Sequence, residues 1–74
     1  MTDWEEATAW LEKHSSDLLI SDAISTLKAG EEEGAATFRY VRVRLFRPGD
    51  PDLSLEGEGR SILAAVQMAL GPVR

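Results

Sequence analysis

The chain has no cysteine, so neither a disulfide nor a thiolate-bound metal can brace it. It has one histidine, His14, and no serine or acid is spaced to make a catalytic set with it. No apolar run approaches the roughly 18 residues that a membrane-spanning helix needs. The acidic N-terminus is unlike a secretion signal. These absences exclude most catalytic and metal chemistry and point away from a membrane. The expectation is a non-enzymatic, cytoplasmic protein with no cofactor, no catalytic residue and no metal ligand. Seventy-four residues make one domain, 1–74. A core of that size supplies only about 3–5 kcal/mol. Further stability has to come from close helix packing, from self-association or from a protein partner.

Charge is present but unevenly placed. Residues 1–34 hold nine acids and two lysines, whereas residues 35–74 hold six arginines and four acids. The net charge of −5 disfavours nucleic acid, which ordinarily meets a basic domain. The acidic half reads as a solvated face or as a target for a basic partner. The run Glu31, Glu32, Glu33, Gly34 reads as a solvated loop, because like charges repel and glycine frees the turn.

Thr2-Asp-Trp-Glu5 has the form of a capping box, with Asp3, Glu5 and Glu6 at the positive end of a helix dipole. Trp4, Ala7, Leu11 and His14 share a face, which predicts a helix over 3–14. Leu19, Ile20, Ala23, Ile24 and Leu27 also fall at helical spacing, and Gly30 follows as a stop. That pattern predicts a second helix over 17–29. The β-branched Ile20, Ile24 and Thr26 leave a strand within 23–28 as the alternative.

Residues 37–47 are the strongest strand signal, rich in β-branched and aromatic side chains with a period near two. A loop of Pro48 to Asp52 followed by a short strand, 53–56, pairs Leu45 with Leu55 and Arg47 with Leu53. That register collects Val41, Val43, Leu45, Leu53 and Leu55 on one face and sets Arg44 against Glu56 and Arg42 against Glu58. A slip of one residue mixes the faces, so the hydrophobic pattern selects this pairing. Gly57 and Gly59 are expected to permit a tight turn into a helix over 62–70, capped by Ser61. The fold expectation is α+β: two N-terminal helices, an antiparallel hairpin with a third strand left open, and a C-terminal helix packed on the sheet.

Two surfaces are candidate sites. Phe38, Tyr40, Arg42, Arg44 and Phe46 alternate on one side of the long strand and form the candidate partner-binding face. Aromatics interleaved with arginine are also what a single-stranded nucleic-acid platform uses. The competing reading spends the arginines on Glu56 and Glu58 and the aromatics on packing or an interface. Ala64, Gln67 and Met68 lie on an arc of the last helix that carries no charge, which makes them candidates for self-association as a homodimer. The long strand is expected to have one unpaired edge, a second route to a dimer. Gly57-Glu-Gly59 ahead of a helix is a weak phosphate-loop signal, since Ile62 stands where the dinucleotide fingerprint has its third glycine.

The segment from Gly57 to Leu70, with Gly57, Gly59 and Ser61 in a Gly-x-Gly-x-Ser turn and alanines at Ala65 and Ala69, resembles the end of a double-stranded-RNA-binding domain. The strands before it resemble that family's middle strands, so about half the chain is covered. The family has two basic residues directly after the serine, where this chain has Ile62 and Leu63. The N-terminal half reads as two helices where the family has one helix and a first strand. The resemblance implies an α+β sandwich that lacks the RNA grip and serves in protein interaction or dimerisation. The functional expectation is a small acidic protein-interaction module that self-associates. The alternatives are a weak RNA or single-stranded DNA binder, and a phage or mobile-element inhibitor protein.

Overall fold

The computed structural model describes residues 2–30, 34 and 36–71. The elements run α1 (Asp3–His14), β1 (Leu19–Lys28), β2 (Phe38–Arg47), β3 (Asp50–Gly59) and α2 (Ile62–Leu70). The strands form one antiparallel sheet in the order β1-β2-β3. Ala7 and Leu11 of α1, Val41, Val43 and Leu45 of β2, and Ala65, Val66, Ala69 and Leu70 of α2 form a single buried core with Leu18. Both helices therefore cover one face of the sheet, and the other face is open.

α1 begins at its capping threonine. Thr2 Oγ1 accepts the Glu5 amide at 3.2 Å and donates to Glu5 Oε1 at 3.1 Å. The Glu5 carboxylate thus accepts a hydrogen bond from the Thr2 hydroxyl. Only Ala7 and Leu11 of the expected apolar face are buried; Trp4 is exposed, and His14 is exposed with its ring stacked on Trp10 at 4.2 Å. His14 Nδ1 lies 2.9 Å from the Trp10 carbonyl oxygen, which anchors the last turn.

The second N-terminal helix expected over 17–29 is absent, and β1 occupies the region. A β-bulge explains why the pattern looked helical. β1 pairs regularly with β2 from Asp22 to Lys28, but the register shifts between Ile20 and Asp22. The shift places Ile20 and Ala23, both opposite buried β2 residues, three positions apart, as on a helix. The β-branched residues then favour the extended backbone beside β2. β2 is consequently the central strand with both edges paired, so the expected dimer route through its free edge does not exist.

The β2–β3 register agrees with expectation at Leu45↔Leu55, Arg44↔Glu56 and Arg42↔Glu58. The connection is tighter than five residues, because Arg47 pairs with Asp50 and the extra residues are taken up in an irregularity beside it. Pro48 and Gly49 make the turn, with Gly49 at a φ of 87°. Proline fixes the first central position and glycine supplies the positive φ of the second. β3 extends through Gly59, so the two glycines do not form the expected turn. They lie under α2. A Cβ on Gly57 would collide with the Ala65 carbonyl oxygen and lie 2.8 Å from Ala69 Cβ, and one on Gly59 would lie 2.9 Å from Ala64 Cβ. Their bare backbone lets α2 settle onto the sheet edge. The Glu31 to Glu33 loop lies outside the described residues, while Gly34 has a φ of 80°.

Candidate interaction face

Val41, Val43 and Leu45 point into the core, so the alternating Phe38, Tyr40, Arg42, Arg44 and Phe46 stand on the open face of the sheet. The strand registers add Leu19, Asp22, Ile24, Thr26 and Lys28 from β1 and Ser54, Glu56 and Glu58 from β3. All five expected partner-binding residues are thus brought together on one surface. Sequence reasoning did not place the β1 contribution on this face, because its preferred reading of the segment was a helix, with a strand within 23–28 only as the alternative.

The cations of this face are engaged within the molecule. Arg44 Nη2 donates to Glu56 Oε1 at 3.1 Å, and Arg42 Nε lies 3.7 Å from Glu58 Oε1. Lys28 Nζ sits 4.1 Å from the centre of the Tyr40 ring, and the Arg60 guanidinium sits 4.3 Å from that of Phe38. Such contacts are attractive because the ring face is electron-rich. The Glu58 carboxylate beside the Tyr40 hydroxyl pushes the phenol's pKa up, with a smaller contribution from desolvation. At the other end, Phe46 and Leu19 sit opposite each other and are exposed, which leaves an apolar corner.

The two remaining β2 arginines tie β2 to its surroundings, Arg47 to the α1–β1 turn and to β3, and Arg39 to β1 and α1. Arg47 Nε donates to Asp17 Oδ2 at 2.8 Å, and Arg47 Nη1 lies 3.9 Å from Asp50. The Asp17 pKa is lowered, first by the Ser15 hydroxyl donating to it at 3.1 Å, then by its own backbone amide and by Arg47. Arg39 donates to Ser25 Oγ at 2.8 Å and lies 3.8 Å from Asp3. Asp3 Oδ2 in turn accepts the Ile62 amide at 2.9 Å. A protein carboxylate therefore occupies the N-terminus of α2, the position at which a helix dipole would favour a phosphate.

The three self-association candidates separate. Gln67 and Met68 are exposed, Met68 at 61%, whereas Ala64 is half-buried with its Cβ facing Gly59. Among the described residues no group of three or more histidines or acids is placed to hold a metal ion, and no helix is long and apolar enough to cross a membrane. Comparison with protein-family models, with curated proteins and with solved structures yields no match to the chain.

Proposed function

We propose that the chain is a non-catalytic protein-interaction module that self-associates, built on the plan of a double-stranded-RNA-binding domain without its RNA grip. The observation that carries this reading is the internal pairing of its arginines. Each arginine from Arg39 to Arg60 has a carboxylate or aromatic partner inside the molecule. Phosphate binding draws its free energy from cations that displace counterions, and here carboxylates already stand beside them. Asp3 at the α2 N-terminus adds a negative charge where the resembling family grips phosphate. One helix followed by strand β1 supports the resemblance on the N-terminal side as well. What the open face offers instead is half-exposed aromatic and aliphatic surface flanked by paired charges, which suits a protein contact.

The test replaces Arg42 and Arg44 together by alanine and follows labelled duplex RNA and single-stranded DNA by fluorescence anisotropy at low salt. The reading expects no saturable binding by either protein and a modest loss of stability, since exposed ion pairs contribute about 0–1 kcal/mol each. Saturable, steeply salt-dependent binding by the unaltered protein that disappears in the double variant would overturn it and make the face a nucleic-acid site.

A further inference from the structure

The sheet has two edges, and they differ. β3 carries Asp50, Pro51, Asp52, Glu56 and Glu58, the charges and proline that discourage another strand from adding there. β1 has no proline, and its only charges are Asp22 and Lys28. Ile24 is 59% and Leu27 75% exposed, on opposite faces of β1, and no helix covers either. A ten-residue strand this bare is an open template for pairing.

Resting on the self-association reading, we infer that the occupant of the β1 edge is a second copy of the same strand. It runs antiparallel about a two-fold axis through Ser25 and makes one six-stranded sheet. The charges select both the occupant and the register. Asp22 and Lys28 are equidistant from Ser25, so the axis sets Asp22 of one copy opposite Lys28 of the other, twice. Lys28 rests on the Tyr40 ring face and has no carboxylate partner among the described residues, so its charge is left for that pair. The same axis sets Ile24 opposite Thr26 on the open face and Leu27 opposite Ala23 on the helix side. Asp22 makes no hydrogen bond or ion pair among the described residues, and Arg44, opposite it on β2, donates to Glu56 instead. The paired stretch, 22–28, is the part of β1 with regular register, and the bulge lies just outside it. Cross-strand partners must share a face, so the neighbouring registers differ by two residues. Centring on Ile24 sets Asp22 against Thr26, and centring on Thr26 sets Lys28 against Ile24. Only the Ser25 axis pairs the charges.

The experiment is sedimentation equilibrium of the intact protein and of Asp22→Lys and Lys28→Asp, each alone and then mixed in equal amounts. The expected result is a dimer for the unaltered protein. Each variant alone faces like charges across the axis and should dimerise at least about tenfold more weakly. The mixture should recover, because the two variants are complementary to each other. A monomer at high micromolar concentration, a dimer indifferent to both substitutions, or a mixture that fails to recover would each overturn the inference. Should either variant fail to fold, amide hydrogen exchange of the unaltered protein decides. Alternate amides of 22–28 should gain protection as concentration rises, and concentration-independent exchange would overturn the pairing. A dimer indifferent to the substitutions overturns only the β1 pairing and leaves self-association standing, whereas a monomer removes self-association as well. The non-nucleic-acid part of the reading is decided separately by the anisotropy assay.

Discussion

At the scale of single residues, the account depends on a missing Cβ and on two shifted acids. Gly57→Ala drives a methyl group into the backbone of α2 at Ala65 and Ala69, and neither can rotate away. Overpacking of this kind costs about 1–3 kcal/mol, which thermal unfolding would register as a clear drop in Tm. An unchanged Tm would mean that α2 does not rest on β3 there. Tyr40 has a raised pKa with Glu58 as its main cause, so its contribution to stability is full below the ordinary tyrosine value of about 10. That contribution is lost as pH rises through the folded value. Glu58→Gln should therefore move the phenol's absorbance titration down toward the ordinary value, and an unmoved titration would contradict the pairing. Asp17 runs the opposite way. Its lowered pKa stabilises the fold above the ordinary aspartate value of about 3.9, and the effect disappears as pH falls through the folded value. The stability difference between the unaltered protein and Asp17→Asn should accordingly vanish in acid, as followed by denaturant unfolding across pH.

At the scale of elements, the structure separates what local pattern can reveal from what it cannot. The β2–β3 register was legible because two signals agree: Val41, Val43, Leu45 and Leu55 alternate toward the core, and Arg42 and Arg44 meet Glu58 and Glu56. α1 and α2 were legible from Thr2 and Ser61, whose hydroxyls accept the Glu5 and Ala64 amides. Ser61→Ala should destabilise the protein by about 0.5–2 kcal/mol in chemical denaturation, and a loss near zero would show that the Asp3 carboxylate alone satisfies the helix end. β1 was not legible. Its bulge gives Ile20 and Ala23 the spacing of a helix, and its edge position leaves too little burial to print an alternation. The β1 half of the open face was hidden for the same reason. Gly57 and Gly59 were read as a turn because a sequence does not show which neighbour needs the vacant space. The five β2 residues of the face were legible, since the core-facing alternation of that strand fixes where the others stand.

At the scale of the whole molecule, ten buried apolar side chains among the described residues form the core of a 74-residue chain. Leu45 is fully buried beneath the helices, and Leu45→Ala should cost about 2–5 kcal/mol, comparable to the whole stability of so small a domain. Circular dichroism should show that variant largely unfolded at room temperature, and a cooperative transition close to the unaltered protein's would contradict the core described here. Charge is organised on the same scale. Acids of the N-terminal half reach across to arginines of the C-terminal half, as Asp3 does to Arg39 and Asp17 to Arg47. The molecule thus pairs its described arginines internally, and Ile24, Leu27 and Phe46 of the sheet stand among its exposed large apolar side chains. The most direct test of that claim is sedimentation of the protein at low salt, alone and with duplex RNA. The account predicts concentration-dependent self-association and no protein travelling with the RNA. A strict monomer that co-sediments with RNA and is released by salt would contradict it.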